Sequence, residues 1–344
     1  MDSGSFVDMD AVEAPVPVVE DTIMDVDPLA EALGCAPITR LAVNDHAVAV
    51  TCCGRFRAIN QDRVCLEQLP DDDIVAGVFD GHGLLGENAA LLCSAAIPSM
   101  VASGKSFPEC LRALQSVLVQ IADNEHRRLP EEGFDYGTTA AIVRISGLQV
   151  KCAWVGDSRI ALFEENARTR TWSWQWSSME HNPETHEAEK VRLLQSPART
   201  TVVAGSTRVY PRSMSLEDAV RNKLTLNMSR ALGHRILVQH GVSPDPDVHE
   251  ITLSRLRNSC IVIASDGIWD VLEQSDVAQI LTKHMSHGVL TVAEALLAKS
   301  DRAWSDCATG DNMRSSNNHH LDDRKSNRLH IYSVIIIRIL KPAS

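Results

Sequence analysis

The stretch Ile74-Val75-Ala76-Gly77-Val78-Phe79-Asp80-Gly81-His82-Gly83 sets an apolar run directly against Asp-Gly. Late in the chain the pattern returns as Cys260-Ile261-Val262-Ile263-Ala264-Ser265-Asp266-Gly267-Ile268-Trp269-Asp270. Each run has the length and β-branched content of a buried strand, with the carboxylate placed where the strand should end. Carboxylates at the ends of neighbouring strands converge oxygen ligands on a hard divalent cation. Glycine beside each lets the backbone turn sharply and offers an unshielded carbonyl as a further ligand. Taken singly, Asp-Gly after an apolar run is an ordinary turn signal, so the surroundings of both copies decide between turn and metal site.

Around these two runs, AVAVTCC, TAAIVRI, VKCAWV, RIALF and SVIIIRIL also read as strands, some joined by short turn signals such as Ser146-Gly147. Apolar residues at helical spacing predict helices starting near Gly86 and over 107–126, 184–194, 275–284 and 291–304. Clustered strands and paired helices imply packed layers, not a regular βαβ array. Residues 197–225, with Pro197, Gly205 and Pro211, read as an irregular flap over a site, and 305–330 as a mobile polar insertion. The alternation of Trp172, Trp174 and Trp176 predicts one packed strand face.

A hydrophobic content of 44% in 344 residues supports a sizeable core. The net charge of -12 is concentrated at the N-terminus, where residues 1–35 hold nine acids and no Lys or Arg. Beyond them 36 acids face 33 bases, so there is no basic field for nucleic acid. No apolar stretch approaches a membrane span, a secretory signal is not evident, and Asp2 excludes N-myristoylation. The nine cysteines are odd in number, contain no C-x-x-C and fall partly inside apolar runs. This fits reduced, buried thiols in a cytoplasmic or nuclear protein. Residues 1–38 are read as an acidic disordered tail, and 39–344 as one domain.

Further motifs cluster between the two Asp-Gly steps. Arg57-Ala-Ile-Asn60-Gln61-Asp62 precedes the first; Gly137-Thr138-Thr139-Ala140, Val155-Gly156-Asp157-Ser158-Arg159, Glu180-His181-Asn182-Pro183 and Leu226-Asn-Met-Ser-Arg-Ala-Leu-Gly233 follow it. In this order and spacing the segments resemble the metal-dependent Ser/Thr protein phosphatases, the type 2C or PPM family, over roughly Ala47 to Leu340. The resemblance implies an α+β fold, an αββα sandwich of two central antiparallel sheets flanked by helices. It implies a monomeric enzyme that hydrolyses phosphoserine and phosphothreonine in protein substrates through a water activated by two Mg²⁺ or Mn²⁺ ions, with a weaker third ion.

Carried over position by position, Asp80 would bridge the two ions and the Gly81 carbonyl would bind one of them. Asp266 would hold the other ion and Asp157 the third. Gln61, where many members carry Glu, would reach its ion through water beside Asp62. Arg57 would grip phosphate with its planar fork, and His82 would protonate the leaving alkoxide. Plainer readings stand beside these: Arg57 as a surface ion-pairing residue, His82 as a helix cap, Asp157 as a hairpin turn residue. His181 and His186 lack the H-E-x-x-H pattern of a zinc site and are expected on or before an exposed helix.

One departure bears on chemistry. By register His330 occupies the position of a ligand aspartate before the last strand, with Asp322 and Asp323 nearby in the insertion. Imidazole binds Mn²⁺ but is a poor Mg²⁺ ligand, which makes a catalytically impaired, phosphoprotein-binding regulator the alternative. Glu180 stands where the family usually has Asp, and His234 follows Gly233 where Asp is commoner; neither position is expected to be a core ligand.

Overall fold

Both Asp-Gly runs become interior strands, but of different sheets. The structure, a computed structural model, describes residues 38–53, 59–128, 135–203, 206–309 and 331–341. The acidic tail, Arg57, Asp322, Asp323 and His330 lie outside the described residues.

Sheet one runs β1 (Ile38–Asn44), β2 (Ala47–Cys53), β15 (Ile331–Ile339), β14 (Ser259–Ala264), β8 (Arg159–Glu165), β9 (Trp172–Ser177). Sheet two runs β12 (Leu232–Gly233), β5 (Gly137–Thr138), β4 (Ile74–His82), β6 (Ala140–Ser146), β7 (Gln149–Val155), β13 (Asp247–Thr252), with β3 (Asp62–Gln68) paired to β4. Every described pairing within the two sheets is antiparallel. Helices α1 (Gly86–Ala102) and α2 (Phe107–Arg128) cover sheet two. On sheet one lie α6 (Gln274–His284) and α7 (Val289–Thr309). The expected αββα sandwich is the observed architecture.

The strands are apolar throughout because each is buried on both faces. Along β14, Cys260, Val262 and Ala264 face the helices, whereas Ile261 and Ile263 face the other sheet. In β4, Val75 and Phe79 meet α1 and α2, and Ala76 and Val78 fill the space between the sheets. Period-two alternation thus sorts one continuous run into two cores. The helices answer with stripes at i, i+3 and i+4, such as Val292, Ala293, Leu296 and Leu297.

Several expectations need correction. The segment 197–225 is regular in its described part: β10 (Ala198–Val203) and β11 (Ser206–Pro211) form a hairpin, followed by α4 (Leu216–Arg221). A small core of its own, including Leu193, Val209, Leu226 and Leu237, supports it. The first five residues of the expected insertion, 305–309, continue α7. The tryptophans do not share a face. A register shift in the β8–β9 pair re-aims the strand, so Trp172 joins the helix-side core while Trp176 packs toward the inter-sheet core. His181 precedes α3 (Glu187–Leu194) as expected, but it is fully buried.

Candidate metal centre

The first Asp-Gly is not a turn. β4 continues through Gly81 and His82, which pair with Thr138 and Gly137 of β5. Space, not backbone twist, demands glycine there: a Cβ on Gly81 would stand 2.2 Å from the Gly86 carbonyl oxygen, where α1 begins. The second Asp-Gly does end a strand, and it opens the one-turn helix α5 (Asp266–Trp269). A Cβ on Gly267 would lie 2.0 Å from the Ile331 carbonyl oxygen, so β15 passes hard against this step.

Asp62 lies directly across from Asp80 in the β3–β4 ladder. Thr139 ties that pair to the turn carrying Asp157. Its amide donates to the Asp80 carbonyl at 2.9 Å, its Oγ1 accepts from the Asp80 amide at 3.0 Å, and it shares a 2.7 Å hydrogen bond with Ser158. Gly156, at φ +98, brings the turn in; a Cβ there would sit 2.6 Å from Thr139 Cγ2. Behind the turn, His181 holds Gly156 twice: its Nδ1 accepts the Gly156 N–H at 3.1 Å, and its own N–H donates to the Gly156 carbonyl at 2.9 Å.

The electrostatics follow from this crowding. Burial first, then Asp62, Asp266 and Asp157, push the Asp80 carboxyl well above the usual carboxylate range. Asp157 is raised in the same way, by burial and then by Asp266, Glu180 and Asp270. The structure therefore brings together Asp62, Asp80, Asp157 and Asp266 and adds two acids not expected there as ligands, Asp270 and Glu180. Asp270 is four residues beyond Asp266, and its amide donates to the Asp266 carbonyl at 2.9 Å. That i, i+4 spacing was its only signal. Glu180 is held by Arg159, whose Nε donates to it at 2.6 Å.

The donor set fits a hard divalent cation. Its donors are oxygens, and a cation would relieve the mutual repulsion of the acids. Asp157 Oδ2 accepts from Asn227 at 3.1 Å, whereas its Oδ1 is buried with no hydrogen-bond partner among the described residues. Among those residues no group of three or more His, Cys, Asp or Glu side chains is arranged to hold an ion alone. Backbone carbonyl and water oxygens would have to complete the shell.

Gln61 meets the centre through its backbone, its carbonyl accepting the Gly81 N–H at 3.2 Å. Its side-chain amide donates to the Gly83 carbonyl at 3.0 Å and to Glu87 at 2.9 Å, toward the first turn of α1. His82 is half-buried, with Nδ1 3.1 Å from the Asp80 carbonyl. A carbonyl only accepts, so Nδ1 carries the proton. Burial, then the neighbouring His234, push the His82 pKa down to about 3.

A family model described as Protein phosphatase 2C matches residues 46–305. The chain is similar to "Probable protein phosphatase 2C 73" of Oryza sativa subsp. japonica, 29% identical over 264 residues, covering 67% of this chain and 61% of the relative. It is similar also to "Probable protein phosphatase 2C 64" of the same organism, 27% identical over 292 residues, covering 80% and 66%. It thus spans less than two thirds of the length of these two relatives. Among solved structures, a serine-threonine phosphatase 2C from Toxoplasma gondii matches with a TM-score of 0.62 at 17% identity, covering 88% of this chain and 99% of that one. A likeness at that identity shows the fold alone.

Proposed function

The chain belongs to the protein phosphatase 2C family, and from that premise we propose that it hydrolyses phosphoserine and phosphothreonine in protein substrates with Mg²⁺ or Mn²⁺. The observation that carries this reading is the convergence of Asp80 and Asp266 from different sheets, with Asp62 and Asp157 close enough to raise the Asp80 carboxyl. Asp80, Asp266 and the Gly81 carbonyl would hold the two principal ions, with Gln61 and Asp62 supporting them, and Asp157 would hold a weaker third. On the family pattern Arg57 would grip the phosphate, and His330 would stand beside the ion of Asp266.

When bound, such ions supply Lewis acidity, making water a nucleophile near neutral pH and offsetting phosphoryl charge. The chain supplies the proton for the leaving group. With Nδ1–H fixed on the Asp80 carbonyl, Nε2 of His82 is the atom that takes up and delivers a proton. Burial keeps the ring neutral in the free protein. An arriving phosphate brings negative charge, which favours the protonated ring. Water oxygen bonds to phosphorus, the phosphorus–oxygen ester bond breaks, and the Ser or Thr oxygen leaves with the proton from Nε2.

The test is hydrolysis of p-nitrophenyl phosphate and of a phosphoserine peptide across a Mn²⁺ titration, in wild type and Asp80→Ala. Turnover in the wild type that disappears in Asp80→Ala supports the reading. No turnover by the wild type at millimolar Mn²⁺ overturns it.

A further inference from the structure

His234 stands against His82 in a way that base-level packing does not require. The two imidazoles are stacked, centroids 4.8 Å apart and planes 16° from parallel. His234 is 3% exposed, and its Nδ1 lies 3.3 Å from Asp135 Oδ2. The carboxylate can only accept, so this nitrogen carries the proton. Asp135 is itself buried and fixed by the Ile236 amide at 2.8 Å and the Leu237 amide at 3.4 Å. The Nε2 atoms of both rings are buried, and neither has a hydrogen-bond partner among the described residues.

The backbone is bent to deliver this ring. His234 adopts φ +52 directly after Gly233 at φ +84. A left-handed non-glycine residue is strained and persists only where its surroundings dictate it. Here they do. Buried Gln115 of α2 clips Gly233 on both sides, donating to its carbonyl at 2.9 Å and accepting its amide at 2.6 Å. The His234 amide donates to the Tyr136 carbonyl at 2.8 Å. Across the sheet, Gly137 leaves the notch the ring enters; a Cβ there would stand 2.6 Å from His234 Cδ2.

We propose that His234, locked by Asp135 and by its left-handed backbone, is a positioning residue that fixes the plane of the His82 ring for proton delivery to the leaving alkoxide. The inference rests on the phosphatase reading. It names a second histidine, absent from the role assignments made by resemblance, as a determinant of how well this chain expels a poor leaving group.

Leaving-group dependence separates positioning from general damage. A serine alkoxide needs a proton as the ester bond breaks, whereas p-nitrophenolate leaves unaided. His234→Ala is expected to lower kcat on a phosphoserine peptide about 10- to 100-fold while changing kcat on p-nitrophenyl phosphate less than about twofold. His234→Phe keeps a flat ring in the stack but loses the Asp135 hydrogen bond, so it should recover only part of the peptide activity. Equal losses on both substrates in an active background would overturn the inference. A second readout does not need turnover. In protein carrying ¹³C-labelled histidine, the ring-current-shifted His82 resonances should move toward unstacked positions in His234→Ala and remain ring-current-shifted in His234→Phe. Unmoved resonances in His234→Ala would overturn the inference even if the wild type proved inactive, an outcome that by itself removes only the phosphatase reading.

Discussion

Asp62 and Asp80 are direct cross-strand partners in the β3–β4 ladder, two acids held face to face in the floor of the site. Like charges so placed destabilise a sheet, so the metal-free fold carries a built-in electrostatic burden. Folding raises the Asp80 carboxyl above its ordinary value of 3.8. The stability it contributes is complete below that value and is lost as pH climbs through the raised folded pKa. Asp80→Asn should therefore gain stability over wild type, without divalent cations, as pH rises above the ordinary carboxylate value of 3.8. Millimolar Mn²⁺ should reverse the order, because binding to the native state stabilises only a protein that retains the ligand. Thermal melts with chelator and with Mn²⁺ check both halves. A variant less stable than wild type at every pH without metal would contradict the account.

His181 gives the opposite slope. Burial holds its pKa below the ordinary 6.5 despite the Asp247 carboxylate 3.3 Å from Nε2. Its contribution is present above 6.5 and is lost as pH falls below that value. His181→Leu should cost about 1–3 kcal/mol at pH 7, because the buried Gly156 N–H loses its acceptor. It should also flatten the fall in stability as pH drops below 6.5. Urea unfolding at several pH values measures both.

The glycines predict a graded series. Gly147 lies at φ +56 with nothing near its Cβ position, so Gly147→Ala should cost about 1 kcal/mol from backbone conformation alone. Gly81→Ala and Gly267→Ala drive a methyl group into backbone carbonyl oxygens, which cannot swing aside, and each should cost about 3 kcal/mol. If all three proved equally mild by chemical denaturation, the close approaches described above would be wrong.

Thiol chemistry gives a simple count. Cys52, Cys53, Cys65, Cys93, Cys110, Cys152 and Cys260 are buried, and burial pushes the Cys93 and Cys152 thiols up to about 12. Of the nine cysteines, no more than two should react promptly with Ellman's reagent in the native protein, and all nine in denaturant. Three or more fast thiols under native conditions would show that one of these positions opens.

The layered fold is legible in the chain because β2, β4, β14 and β15 are buried on both faces and so remain apolar without interruption. Edge strand β13 escapes notice because its Val248, His249 and Glu250 face solvent, which removes the alternation that marks a strand. Asp80 and Asp266 are legible from the repeated apolar-Asp-Gly pattern, although only the second marks a strand end. Asp270 becomes legible only once α5 is known to be helical. The position of His181 before α3 is legible but its burial is not, because a buried histidine and a surface one look alike until the Gly156 amide is found on its ring. The φ +52 conformation of His234 and its stack on His82 arise from contacts distant in sequence, and no local pattern encodes them.

The place of β15 carries a consequence for how the protein is made. This strand is inserted between β2 and β14, pairing Ile331 with Cys53 and Ile335 with Ile263. Sheet one therefore cannot close until the ribosome has translated almost the whole length described here. The β1–β2 hairpin must wait with the far edge of β2 unpaired while sheet two and its helices are synthesised. Such delayed, long-range pairing folds slowly and exposes aggregation-prone edges. Nascent chains halted before Ile331 are thus natural clients for chaperones, even though the β3–β4 half of the centre is already encoded.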